Sequence, residues 1–299
     1  MRALFKQLMK GSGTPVLQTC DARGETILSA GNIWTSAHAR RNALREEGLV
    51  PGDVLCGERG GFDSVIDFVA CTIGGFVYLP LESQGLAALR AQLARGQCSG
   101  REGIVLVDQR GAHEHFRCGL PALLDPLRDS PGALLALAGA GPEGHRPRLA
   151  IMTGPGIERQ LVALADALGT PIGGTRLSWR GAHRDAGFIA DLLLGLFARQ
   201  TIYLRCPGRG FAPQAMIEEA LDLSVDDLVI TPAMIEPVAR AALTLEPGAR
   251  RALAAIRLHT GSQRLTASEA SLLALVFEQV FIESVALEFA APMSVAHSA

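Results

Sequence analysis

Short apolar runs of strand character alternate with stretches of helical periodicity along almost the whole chain. In 62-FDSVIDFVACTIGG-75, Val65, Ile66, Val69 and Ile73 recur at helix spacing and the run closes on glycines; FVYLPL (76–81) follows as a strand that stops at Pro80. Before it, AHARRNALREEG reads as a helix entered from an N-cap at Ser36 and closed by Gly48. The pairing continues as helix 84–95 with strand 103–107, strand 149–152 with helix 157–168, helix 185–199 with strand 201–205, and 227-DLVITP-232 with a helix from 233. Strand 254–259, helix 266–278 and strand 279–283 complete it. Such alternation predicts an α/β protein with largely parallel sheets flanked by helices. The Gly- and Pro-rich stretch 139-GAGPEGHRP-147 divides it into a first α/β subdomain over 1–140 and a second over 147–299.

Composition narrows the chemistry. With 28 basic against 30 acidic residues in 299, no charge imbalance points to nucleic acid or an anionic membrane surface. No apolar run is long enough for a transmembrane span, and the N-terminal MRALFKQLMKGSG lacks the apolar stretch of a signal peptide. Six scattered cysteines without CxxC spacing suit reduced thiols in a cytoplasmic protein, with Cys71 and Cys206 serving packing. Only two of the basic residues, Lys6 and Lys10, are lysines, so chemistry that needs an ammonium group has two places to draw on.

The segments 48–83, 183–204, 226–241 and 257–277, taken in order, resemble the N-terminal domain of the adenylate-forming superfamily, which comprises acyl- and aryl-CoA synthetases, nonribosomal-peptide adenylation domains and luciferases. The segment 48-GLVPGDVLCGERGGFDSVIDFVACTIGGFVYLPLES-83 is similar to that family's Gly-Asp-x-Val turn, helix and Gly-Gly-a-Tyr-x-Pro-Leu strand. The segments 183-HRDAGFIADLLLGLFARQTIYL-204, 226-DDLVITPAMIEPVARA-241 and 257-RLHTGSQRLTASEASLLALVF-277 are similar to later family motifs at matching intervals. The resemblance implies two packed α/β subdomains forming one AMP-binding-enzyme-like N-terminal domain. It also implies a carboxylate-substrate pocket, whose counterparts here are His183, Gly187, Phe188, Gly261, Ser262, Gln263, Ser284 and Glu288.

Against that pattern the sequence departs where the family binds ATP. The family's phosphate loop is rich in Ser, Thr and Gly and carries a lysine. Between the matching strand and helix this chain has only Thr153-Gly154-Pro155-Gly156, of which Thr153, Gly154 and Gly156 are the vestige of that loop. The family's Tyr-Gly-x-Thr-Glu segment aligns with 284-SVALE-288, placing Ser284 for the aromatic and Leu287 for the threonine while retaining Glu288. The family's C-terminal lid domain and its lysine have no counterpart in the sequence.

The resulting expectation is a degenerate synthetase/ligase-like protein without catalytic residues, metal or cofactor. It would bind a small carboxylic or aromatic metabolite, or an acyl-carrier partner, as an accessory in biosynthesis. An alternative is an acyl- or aryl-acid ligase using ATP and Mg²⁺ and completed by a separate subunit; another is a non-catalytic interaction subunit, with a homodimer as its expected assembly. His113-Glu114-His115 reads as a polar loop lacking a third metal ligand, and Glu218, Glu219, Asp222, Asp226 and Asp227 read as a solvated helix face and turn.

Overall fold

The structure, a computed structural model, describes residues 15–21, 24–58, 61–81, 83–95, 103–107, 113–117, 124, 127, 130–139, 148–180, 187–205, 211–260, 265–284 and 294–297. In chain order its first elements are β1 (Pro15–Asp21), β2 (Gly24–Ser29), α1 (Ala30–Glu46), β3 (Val54–Glu58), α2 (Gly61–Gly74), β4 (Val77–Leu81) and α3 (Ser83–Arg95). Then come β5 (Gly103–Val107), β6 (His113–Arg117), β7 (Ala133–Gly139), β8 (Arg148–Thr153), α4 (Gly154–Leu168) and β9 (Thr175–Ser178). A π-helical segment, Gly187–Leu193, runs into α5 (Leu194–Phe197), followed by β10 (Thr201–Arg205), α6 (Pro213–Asp222), β11 (Asp227–Ile230) and a 3₁₀ turn (Pro232–Met234). The remainder is α7 (Ile235–Leu243), α8 (Pro247–Ala254), β12 (Arg257–Thr260), α9 (Ala267–Ala274), β13 (Val280–Ser284) and β14 (Ser294–His297). No helix among the described residues is long and apolar enough to cross a membrane.

The first unit, chiefly Leu28–Arg159, holds a six-stranded sheet of order β6-β5-β3-β4-β7-β8. Its four inner strands are parallel and both edge strands antiparallel. Strands β4 and β5 are buried at every residue, as continuous apolar runs covered on both faces must be. Leu86, Leu89 and Leu93 of α3 share one core with Val54, Cys56, Leu79, Ile104 and Leu106 of the sheet. Pro80, expected to end a strand, lies inside β4. It is registered against Gly57 in the ladder to β3, whereas the ladder to β7 is registered only at Tyr78–Leu135.

Two details show why the turn motifs of this unit read as they do. Asp53 accepts from the backbone N–H of Val50 and of Gly103, each at 2.8 Å, tying the turn before β3 to the start of β5. A Cβ on Gly103 would stand 2.5 Å from Asp53 Oδ2, so only glycine lets the carboxylate in. Gly75, at φ +76°, closes α2 in the left-handed region, and its carbonyl accepts from Gly52 N–H at 2.9 Å.

The second unit, Pro15–Ile27 and Gln160–Ala286 with Ala290–Ala299, holds an eight-stranded sheet of order β14-β13-β12-β11-β9-β10-β1-β2. From β13 to β1 every registered neighbour is parallel, and β14 adds antiparallel at the edge. One face of it (Leu177, Leu228, Ile230, Leu258) packs with Met216, Ile217, Ile235, Val238, Leu253 and Leu273 from α6 to α9.

The units divide the chain differently from the stretch 139–147. β8 lies beyond that stretch yet pairs with β7, because six residues of each strand find partners, and the boundary falls inside α4 between Arg159 and Gln160. β1 pairs with β10 and belongs to the later unit. Two further expectations are corrected. Helix α1 begins at Ser29, not Ser36: Ser29 Oγ accepts from Asn32 N–H at 3.1 Å while Asn32 Oδ1 accepts from Ser29 N–H at 3.0 Å, a capping box that satisfies the first turn and leaves Ser36 mid-helix. His113–Arg117 is not a loop but the edge strand β6, registered against β5 along its length.

Candidate functional site

In the eight-stranded sheet the chain passes from β9 to β10 in one direction and then returns across β9 to lay down β11, β12 and β13 in the other. Order reverses between β9 and β11, and in open parallel sheets ligands bind outside the carboxyl ends of the strands at such a reversal. Just past β9, Trp179 N–H donates to Val229 O at 2.8 Å, extending the pairing to β11. Trp179 continues the face of Leu177 and meets Phe211 edge-on at 5.9 Å between ring centroids. Thr260, opposite Ile230 at the end of β12, lies on the same face and is fully buried. Trp179 Nε1 and Thr260 Oγ1 are both buried without a hydrogen-bond partner among the described residues. A buried donor or hydroxyl without a partner costs about 1–3 kcal/mol, and these two stand at the carboxyl ends of β9 and β12, on either side of β11.

The opposite face of the same strands carries charge. Arg176, Asp227 and Arg257 stand in one row of directly paired residues across β9, β11 and β12. Ser178, Val229, His259 and Phe281 form the next row. Arg257 Nη2 lies 2.6 Å and Arg176 Nη2 3.4 Å from the Asp227 carboxylate, while Gln200 Nε2 donates to it at 2.8 Å. His259 Nε2 is 2.9 Å from Asp227 Oδ1, and its ring stacks on Phe281 at 5.0 Å. Over this row lies the π-helical segment: Asp191 takes a two-pronged contact from Arg180 (2.6 and 3.1 Å) and a 3.0 Å bond from Ser178 Oγ, and Ala190 O accepts from Arg176 Nη1 at 2.9 Å.

Burial opposes ionisation of Asp227, but Arg176, His259 and Arg257 together outweigh it and hold its carboxyl below the usual range. The assembly fixes the π-helical segment to the sheet. It contains no presented nucleophile, and its acids are committed to arginines. Asp227, expected at a solvated turn, is therefore a core residue; Asp226 beside it stays exposed and accepts from Thr175 N–H at 2.7 Å. Burial raises the thiols of Cys56 and Cys71, which suits packing rather than nucleophilic attack.

At the end of β8 the strand passes directly into α4. Helix begins at Gly154, three residues before the expected start at Ile157, so Gly154, Pro155 and Gly156 form its first turn. Thr153 Oγ1 accepts from Gly156 N–H at 3.3 Å, the position of an N-cap. Pro155 has no N–H to offer.

Of the residues expected to line a pocket, Gly187 begins the π-helical segment, Phe188 within it is fully buried, and Ser284 ends β13. His183, Gly261, Ser262, Gln263 and Glu288 lie outside the described residues. Sequence reading passed over Trp179 and took Thr260 only as part of the 259-HTGSQ-263 loop. The signal was available in part, since each stands two residues after a buried leucine, Leu177 or Leu258, at a strand end near the reversal, but that reversal is a property of strand order. In the first unit, Glu47 at the end of α1 joins His113 and His115, supplying the third donor that reading the triplet alone did not find.

No protein-family model and no curated protein matches the sequence. Solved structures match it in fold. ATP-bound MatB from Rhodopseudomonas palustris superposes with a TM-score of 0.68 at 17% identity, over 99% of this chain and 61% of that one. The Brucella canis acyl-CoA synthetase gives 0.72 at 14%, over 99% and 59%. The fatty acyl-adenylate ligase from L. pneumophila, in complex with acyl adenylate and pyrophosphate, gives 0.68 at 10%, over 95% and 55%. The chain thus spans about 60% of the length of MatB and the Brucella synthetase. Two mostly parallel mixed sheets flanked by helices are the fold of the N-terminal domain of adenylate-forming enzymes, and this chain has that fold.

Proposed function

We propose that this adenylate-forming fold serves binding rather than adenylation. Its ligand would be a small carboxylic or aromatic acid, or an acyl group on a carrier partner, held at the carboxyl edge of the eight-stranded sheet in an accessory role in biosynthesis. The observation that carries this reading is the corner between β8 and α4. A triphosphate needs a loop of free N–H groups and hydroxyls. Here no residue separates strand from helix, and the one hydroxyl, Thr153 Oγ1, is engaged by Gly156 N–H. Both lysines of the chain precede β1 in sequence, far along the chain from this corner. Trp179 Nε1 and Thr260 Oγ1, buried without a partner among the described residues, support a retained acid or aromatic site.

A second reading is an acid ligase completed by a separate subunit and using ATP and Mg²⁺. Its support is that MatB binds ATP on a fold this chain shares over 99% of its length. Thermal unfolding with ATP·Mg²⁺, AMP and a panel of aliphatic and aromatic acids separates the two. A ligand at about 100 times its Kd adds roughly 2.7 kcal/mol and raises Tm by several degrees. The binding reading expects a shift with acids or aromatics that Thr260→Val and Trp179→Phe diminish, and none with ATP·Mg²⁺. A shift with ATP·Mg²⁺ would establish the ligase reading instead. Silence throughout would leave a structural subunit, whose homodimer light scattering would detect.

A further inference from the structure

We propose that Glu47, His113 and His115 form a three-ligand site for a Zn²⁺-type divalent transition metal in the first unit. On the edge strand β6, His113 and His115 are two residues apart and so share a face, while Glu114 between them turns the other way to Arg90 at 2.9 Å. Glu47 is the C-cap residue of α1, its position fixed by its own N–H bond to Ala43 O at 2.9 Å. His113 Nδ1 lies 3.0 and 3.1 Å from the two Glu47 oxygens, and His115 Nε2 lies 3.1 Å from Oε2. All three donor atoms fall within 4.8 Å of one another.

Metal–ligand bonds of about 2.0–2.1 Å in a tetrahedron place neighbouring donors about 3.3 Å apart, close to the separations already present on each side of Glu47. Two imidazoles and a carboxylate suit Zn²⁺, Ni²⁺ or Cu²⁺ and leave a fourth position for water. The end of α1 adds the partial negative charge of a helix C-terminus.

The surroundings also set the limit of affinity. A metal-bound imidazole ordinarily donates its second N–H to an acceptor. Here Arg40 Nη1, whose Nε is held by Asp67 at 2.8 Å, sits 2.7 Å from His113 Nε2. The guanidinium can only donate, so the ring proton is on Nδ1 and faces Glu47. Metal at Nδ1 moves that proton to Nε2, which keeps the imidazole neutral and makes Nη1 of Arg40 turn aside. An outer partner of the wrong kind costs about 10–100-fold in affinity, so the site binds that much more weakly than one whose outer partner is an acceptor.

The test is titration of the EDTA-treated full chain with Zn²⁺ by calorimetry, alongside His115→Ala and Glu47→Gln. Both sites of substitution are partly exposed, and circular dichroism checks that the variants fold. The expected result is one Zn²⁺ per chain, weakened at least about tenfold in each variant, and a Co²⁺ spectrum without a thiolate charge-transfer band. Equal affinity in the variants, a thiolate band that assigns the metal to cysteines, or no binding up to millimolar Zn²⁺ would each overturn the proposal.

Discussion

At the scale of single residues, the strongest constraint is the buried charge row. Arg176, Asp191 and Asp227 are all fully inaccessible, so removing one charge strands its partners in a medium that cannot solvate them. Asp191→Asn is expected to destabilise the second unit by about 3–5 kcal/mol in urea unfolding, the range for breaking a buried pair from one side. The pH dependence has a definite sign. Because the folded state holds the Asp227 carboxyl below its ordinary 3.8, that group's stabilisation is present above 3.8 and is lost as pH falls below it toward the folded value. Asp67 runs the other way: burial, only partly offset by Arg40, raises its carboxyl, so its share is fullest below 3.8 and lost as pH rises through the folded value. Urea midpoints followed down through that range should fall less steeply in Asp227→Asn than in the parent. None of this was legible locally. Asp226 and Asp227 are adjacent and identical in kind, yet one caps Thr175 at the surface and the other sits between cations from positions 176 and 257. What separates them is strand register, which joins distant segments.

At the scale of elements the sequence was more informative, because the motifs that carried the resemblance have local physical causes. The Gly-Asp of the turn before β3 exists for the two backbone bonds of Asp53, and the paired glycines that end α2 for a left-handed stop at Gly75 and for the ring of Phe76, which a Cβ on Gly74 would meet at 2.4 Å. Gly103→Ala, which pushes a Cβ into the Asp53 carboxylate at the head of a buried strand, is expected to cost about 1–3 kcal/mol. Thr153→Ala tests the corner after β8: as an N-cap its loss should cost about 1 kcal/mol of stability, read by urea midpoint, with no effect on any acid-induced thermal shift. The start of that helix was misplaced because Gly-Pro-Gly reads as a turn. Pro at a first-turn position and a threonine cap make the same residues acceptable as helix.

At the scale of the whole molecule, alternation of strands and helices announced two sheets, but their strand order and the membership of β1, β2 and β8 rest on pairings between segments far apart in sequence. Each unit nonetheless closes a core from its own residues, Val54 to Leu149 in the first and Leu177 to Val280 in the second. The chain's two tryptophans fall one in each: Trp34 in α1 against His38, Trp179 after β9 against Phe211. The variants Trp179→Phe and Trp34→Phe therefore leave one reporter apiece. In the Trp34→Phe background, Asp191→Asn should lower the urea midpoint seen by Trp179 by about 1–5 M, given slopes of about 1–3 kcal/mol per molar. In the Trp179→Phe background, Gly103→Ala should do so for Trp34 by a smaller amount, and Asp191→Asn should leave that transition in place. A core that closes within its own unit needs no more than this; if Asp191→Asn moves both transitions equally, the two units unfold as one cooperative body and the separate-core account fails.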